Sequence, residues 1–412
     1  MRDIVVTLMV LVGWLYTVNK PYIGILLWSW LSYMNPHRLT YGFAFDMPFA
    51  QITALVLLGA MLFSKQVNKP PINSITIIWL LFIVLMGVTT VFAFFIDAAL
   101  LQYIRVLKIQ LVVFITMMLI TDQKKIDQLL LVIVLSIGYF SVKGGVFTIL
   151  TGGGARVWGP TDSFIEGNNE LGVATLMIIP FMTYFYKFSE GFWLKKGILV
   201  ALILSFIGAL GTQSRGALLA TLAVLMFFWI KSEKKILIGS VMLVLSSLIL
   251  AFMPDSWYQR MDTIQNYGED ASAMGRINAW EYAFNVANEN IFGMGFDSWS
   301  PITFALYAPN PNDVHAAHSI YFSVLADHGW FGLVLFITIF YLAWRKLNSF
   351  VNKTNSNEEF VKINFLAKML QIGFIAYFVG GAFLSLAYFD LPWHFVSFVI
   401  LLDICRNNHI KV

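Results

Sequence analysis

The stretch 315-HAAHSIYFSVLADHGWFG-332 decides how this chain is read. It closes a long polar segment, residues 254–317, and opens an apolar run, Ser319–Trp344. His315 and His318 fall at the join. An apolar run of that length beside a polar segment marks the boundary between hydrocarbon and water.

Outward from the join, most of the chain is apolar. It is 58% hydrophobic and 12% charged, with a mean hydropathy of +0.74. A soluble domain carries about twice that charged fraction. Apolar segments recur at residues 4–18, 21–34, 49–63, 74–95, 99–120, 127–150, 169–188, 194–211, 213–230, 235–253, 319–344, 365–387 and 391–405. Period-two alternation is missing, which argues against a β-barrel. The expected fold is all-α: a polytopic integral membrane protein of about twelve transmembrane helices with one large external loop domain. Residues 1–253 and 318–412 supply the bundle, and 254–317 the loop. The first two segments are short and meet at Lys20-Pro21, so they read as two spans or as one broken, re-entrant unit. No small-x-small site precedes Asn19, so the N-terminal segment is expected to be a retained helix.

Several classes drop out. A single cysteine, Cys405, excludes an internal disulfide and a cysteine metal cluster. There is no P-loop, no GxGxxG fingerprint and no nucleic-acid motif.

Basic residues orient the bundle. One set of loops carries Lys65, Lys69, Lys124, Lys125, Lys187, Lys195, Lys196, Lys231, Lys234, Lys235, Arg345, Lys346, Lys353, Lys362, Arg406 and Lys411. The opposite set carries only Arg38, Arg156, Arg260 and Arg276. The first set is expected to be cytoplasmic, which puts 151–168 and 254–317 outside. Within 254–317, Ser272 can cap a helix whose apolar positions are Ile277, Trp280, Phe284, Ala287 and Ile291. Gly293-Met294-Gly295 should end it, and Pro301, Pro309 and Pro311 should break the remainder into turns. Lys353–Glu359 reads as a mobile cytoplasmic loop.

Some cations lie inside apolar segments or at their ends. Arg105 and Lys108 share one helix face, Lys143 lies two turns from an outer end, and Arg215 sits at an outer end in Gly211-Thr212-Gln213-Ser214-Arg215-Gly216. A basic residue in a bilayer costs at least about 2.5–3.5 kcal/mol, so it should face an interior partner or cavity. Acidic partners are few, chiefly Asp97 and Glu170. Cations in excess of anions form a receptor for a phosphate-bearing lipid; the alternative is that the long side chains snorkel to the interface. Arg276 gains interest from this company, and Arg156 in the outer turn joins the substrate-binding group. Asn168, Asn169 and Glu170 open a helix on the outer side and serve either as its cap or as partners for sugar hydroxyls. His318 suits a general base, with His315 contacting substrate. HxxH with Asp313 nearby lacks a further ligand, so neither metal nor other cofactor is expected.

The order Ser214-Arg215-Gly216, Gly275-Arg276 with Trp280, Gly293-x-Gly295 and His318-Ser319 with Gly329 and Gly332 resembles the bacterial O-antigen ligase superfamily. That group includes lipopolysaccharide O-antigen ligases, O-antigen polymerases and protein O-oligosaccharyltransferases. Asn168-Asn169-Glu170-Leu171 resembles an outer-loop motif of the group, and Met34-Asn35-Pro36-His37-Arg38 resembles its exosortase-associated O-glycosylation ligases. The resemblance covers the whole chain. It departs where the family often reads His-Asn and this chain has His318-Ser319.

The resemblance implies transfer of a glycan from undecaprenyl diphosphate to an acceptor hydroxyl. The transfer would occur on the periplasmic face of the bacterial inner membrane, without metal and with inversion. By carry-over, Arg215 and Arg276 hold the diphosphate and His318 activates the acceptor. Beside them, Arg105, Lys108, Arg156, Asn168, Asn169, Glu170, Trp280 and His315 are expected to line the substrate. The partners implied are the lipid-linked donor, a lipid A–core or protein acceptor and membrane lipid, with no nucleic acid. Ligation to lipid A–core is favoured over pilin glycosylation and glycan polymerisation. A lipid-linked sugar transporter is the reading from another class, but it should show paired halves and midplane helix breaks. An assembly scaffold would not need the intramembrane cations.

Overall fold

The computed structural model describes residues 1–232, 234–252, 254–255, 257–258, 271–351 and 357–410. Arg260, most of Lys353–Glu359 and Lys411, used above, lie outside the described residues. Among the described residues there are fifteen α-helices and no strand. They are α1 (Arg2–Asn19), α2 (Pro21–Met34), α3 (Phe49–Phe63), α4 (Ser74–Val91) and α5 (Ile96–Leu119). Then come α6 (Gln123–Leu150), α7 (Asn168–Phe188), α8 (Phe192–Gly211), α9 (Arg215–Lys231) and α10 (Lys235–Phe252). The series ends with α11 (Ala271–Glu289), α12 (Pro301–Tyr307), α13 (Ile320–Val351), α14 (Glu358–Gly381) and α15 (Asp390–Ile410). The chain is an all-α, polytopic membrane protein. Every apolar segment read from sequence became a helix, and eight helices are long and apolar enough to cross a membrane.

The first two segments are two helices, not one broken span. Lys20 leaves helical geometry and Pro21 starts α2, where its missing N–H costs nothing. The Asp3 carboxylate accepts from the N–H groups of Gly42 and Ala44 at 3.0 and 3.1 Å. The start of α1 therefore lies beside the loop that follows α2, and the pair runs antiparallel.

Close approach in the bundle comes from small residues. A Cβ on Gly208 would meet the Ser141 carbonyl, and one on Gly145 would meet the Leu204 backbone. The hydroxyls of Ser141 and Ser205 bond across the α6–α8 seam at 2.7 Å. In lipid, apolar surface drives helices together weakly, so such backbone approach and hydrogen bonding take over. Gly172 does the same for α7 against Thr212 and Ala217 of the α8–α9 turn and α9.

One end of the bundle carries α11 and its loops, here called the cap end. The buried face of α11 is Gly275, Asn278, Ala279, Tyr282, Ala283, Val286 and Ala287. This corrects the expected stripe, because Phe284 and Ile291 are exposed. Small residues face inward so that residues 298–314 can lie close to the helix. The Tyr282 hydroxyl donates to the Ser298 carbonyl, and Asn285 Nδ2 donates to the Tyr307 carbonyl. Phe284 instead meets Trp330 edge-on, with ring centres 5.7 Å apart. Pro301 does not break a turn either. It occupies the first position of α12, which Ser300 caps.

Inside α13, Gly329 takes φ 65°, ψ −168° and breaks the helix. The freed carbonyls of Ala326 and Asp327 accept from the N–H groups of Met294 and Gly295, at 2.9 and 3.0 Å. Backbone from the cap thus completes a span at the point where it is interrupted.

Candidate active site at the cap end

Four helix ends and one loop meet below α11. The α8–α9 turn is held tightly. Thr212 Oγ1 donates to the Ala209 carbonyl, and Gln213 takes φ 54° with its amide donating to the Gly153 carbonyl. Ser214 Oγ caps α9 by accepting from the Ala217 N–H at 3.1 Å. Arg215 is then the first residue of α9 and half-buried. A cation at a helix start opposes the helix dipole by about 0.3–1 kcal/mol, and the same place favours an anion.

Asn168 ties the start of α7 to this turn. Its Nδ2 donates to the Thr212 carbonyl at 2.8 Å. Asn169 and Glu170 follow in the first turn, both half-buried. The α6–α7 loop joins as well, because the Val157 N–H donates to the Gly211 carbonyl at 3.2 Å. Arg156, beside Val157, is exposed.

The loop 313–319 hangs on α11 at three points. Asn278 Nδ2 donates to the carbonyls of Asn310 and Asp313 at 2.9 Å each, and its Oδ1 accepts from the Asn310 N–H. The ring of His315 lies against Gly275. The Trp280 indole N–H donates to the Ala317 carbonyl at 2.7 Å, and its ring stacks on Phe322 at 5.0 Å and 9°. Trp280, expected to touch substrate, therefore has its polar edge engaged in holding the loop.

These bonds deliver His318 half-buried with φ 42°. A non-glycine residue in that region costs about 1–3 kcal/mol, so its surroundings must enforce it. Burial, the charge of Arg276 and then His315 hold the His318 imidazole below the usual histidine value. A depressed pKa keeps the ring neutral at pH 7 and able to accept a proton. Arg276, half-buried on α11, also interacts electrostatically with Glu170. Ser319, which immediately precedes α13, is buried, and its hydroxyl has no hydrogen-bond partner among the described residues.

The loop at the end of α14 closes the ring. A Cβ on Gly216 would lie 3.4 Å from Phe383 Cβ, and Phe383 lies 6.3 Å from Trp280, centre to centre. Gly381 packs against Ile320 at the start of α13. The starts of α7, α9 and α13, the end of α14 and one end of α11 therefore share one place. They gather Arg215, Arg276, His315, His318, Asn168, Asn169, Glu170 and Trp280, with the Arg156 loop at their edge.

The structure does not bring Arg105 and Lys108 there. Both are exposed on the outside of α5, as is Lys143 on α6. Arg105 interacts electrostatically with Asp297, in the loop that follows α11 in sequence and folds back beside Tyr282. Snorkelling, the alternative weighed from sequence, suits Lys108 and Lys143. Sequence reading missed Asn278, whose only signal is a polar residue at helical spacing among small ones. It missed Phe383 altogether, since nothing local marks it.

Residues 200–337 match the family model described as O-antigen ligase. Residues 200–337 thus form an O-antigen ligase-type domain. Its activity is of the O-antigen ligase or polymerase type, acting on a lipid-linked glycan. The O-antigen ligase match contains Arg215, Arg276, Trp280, His315 and His318. Residues 1–190 match a family of unknown function (DUF5935), and Arg156, Asn168, Asn169 and Glu170 fall within it. No curated protein matches the chain.

Proposed function

We propose that this O-antigen ligase-type protein moves a glycan from undecaprenyl diphosphate to an acceptor hydroxyl at the periplasmic face of the bacterial inner membrane. The observation that carries the reading is the placement of Arg276 beside both Glu170 and His318, with Arg215 opening the adjoining helix. One guanidinium group thus lies within electrostatic reach of the imidazole, and a second opens a helix that starts at the same end of the bundle.

In the reaction, His318 takes the proton of the acceptor hydroxyl. The acceptor oxygen bonds to the anomeric carbon from the face opposite the diphosphate, and the bond from that carbon to the diphosphate oxygen breaks. The configuration inverts, and undecaprenyl diphosphate leaves with the bonding pair. Arg215 and Arg276 stabilise its growing charge through short charged hydrogen bonds, which oriented donors in a water-poor site supply with little reorganisation. Two fixed cations neutralise the leaving group, so the mechanism calls for no metal ion. Asn169 and Glu170 offer hydrogen bonds to sugar hydroxyls. The favoured acceptor is a lipid A–core sugar; a growing glycan or a hydroxyl of a pilin presents the same chemistry.

The test is incubation of purified protein with a defined undecaprenyl-diphosphate glycan and competing acceptors, followed by product analysis. Transfer to a sugar hydroxyl with an inverted linkage is expected, with loss of transfer in Arg215→Ala and Arg276→Ala at normal membrane levels. Wild-type rates in both variants would remove the diphosphate assignment.

A further inference from the structure

His315 is anchored more firmly than a substrate contact requires. Its Nε2 donates to Asp313 Oδ1 at 2.7 Å. A Cβ at position 275 would come 2.5 Å from its Cδ2 and 2.8 Å from its Nε2, so the imidazole fills the space that glycine leaves open. Glycine inside a helix is less stable than alanine by roughly 0.5–1 kcal/mol. Helix α11 therefore gains nothing from Gly275 on its own account; the slot serves the ring. The other member of the pair is tethered too, because the Asp313 carbonyl accepts from Asn278. Both anchors belong to the helix that carries Arg276.

We propose that the Asp313–His315 pair is a positioning element of the transfer site: seated in the Gly275 slot, it fixes loop 313–318 on α11 and contributes to the charge that surrounds His318. The proposal rests on the reading of His318 as the base.

Charged and titratable groups reach this end of the bundle from several elements. Arg276 comes from α11, with Glu170 of α7 interacting with it; Arg215 opens α9; Tyr321 lies on α13; His315 and Asp313 are on the same loop. The end of α14 contributes Phe383, which does not titrate. A base works unprotonated, so transfer rises as pH climbs through the His318 pKa. That pKa is held down by burial, by Arg276 and by His315. Removing His315 takes away one of those influences and lets it rise, so the acid limb of the pH–rate profile moves to higher pH.

The experiment measures kcat/KM against pH for wild type, His315→Ala, Gly275→Ala, the double variant Gly275→Ala/His315→Ala, and Asp313→Asn. Donor and acceptor are the undecaprenyl-diphosphate glycan and the sugar acceptor of the preceding test. Gly275→Ala alone is expected to lose about ten- to hundredfold, the scale of an ångström-sized misplacement. The same change on top of His315→Ala should cost nothing more, since the methyl then has room. His315→Ala should move the acid limb upward. Asp313→Asn keeps the shape of its side chain and guards against a folding failure; it should lower kcat with little change in KM for the donor. Equal damage by Gly275→Ala in both backgrounds, or an unmoved acid limb in His315→Ala, overturns the proposal. Full activity of His318→Ala would instead overturn the base assignment beneath it, so the two failures are told apart.

Discussion

In the proposed reaction, His318 concentrates the chemistry and the strain of the site in one residue. Its left-handed backbone would suit glycine, which adopts φ 42° freely. His318→Gly should therefore raise thermal stability by about 1 kcal/mol while abolishing transfer, read by a melting curve and a transfer assay on the same preparation. An inactive variant that melts at or below the wild-type temperature would contradict the strain. His318→Ala should also damage transfer far more than His315→Ala, because the proposed mechanism assigns the base to His318 alone. At this scale the sequence was informative about residue type. Arg215, Arg276 and His318 stood out as cations and an imidazole at the edges of apolar runs. What it could not give was azimuth. Arg105 and Lys108 lie at a sensible depth along α5, yet they face outward, and period and spacing do not say which side of a helix the partners will occupy.

At the scale of the element, α11 works as a rail for the loop that follows it. The indole N–H of Trp280 is its most specific fixing, and Trp280→Phe keeps the stack on Phe322 while deleting the bond to Ala317. A net hydrogen bond is worth about 0.5–1.5 kcal/mol. The expected result is a small loss of stability with a larger fall in kcat, measured with saturating donor. An unchanged kcat would show that the loop holds itself. In the bundle, Gly208→Leu should wedge α6 from α8 and sharply lower the amount of folded protein in the membrane, whereas the same change at Gly59, which has no neighbour within 4 Å, should be tolerated. The elements themselves were legible because each apolar run had a clear beginning and end. α12 escaped because Pro301 looks like a breaker until the Ser300 cap beside it is seen. The face of α11 escaped because small residues, not large apolar ones, were the buried set.

The whole molecule is a bundle whose useful surface exists only where distant helix ends coincide. α7 and α9 meet through Asn168 and Thr212, and the start of α9 meets the end of α14 through Gly216 and Phe383. None of these pairings has a local signature, since each depends on which helices become neighbours. The charge supplied by that convergence should suffice for the reaction. Transfer by purified protein is expected to persist in excess chelator, and restoration by an added divalent ion of activity lost there would refute this.

The interruption of α13 at Gly329 bears on how the protein is made. Two carbonyls inside a span are answered by Met294 and Gly295, which leave the ribosome before the span does. The donors are therefore already waiting when their acceptors enter the translocation machinery, and this stretch of helix matures only in their presence. Swapping the roof of this protein for a relative's, to alter which alcohol is glycosylated, would succeed only if the exchanged piece kept those two amides in register.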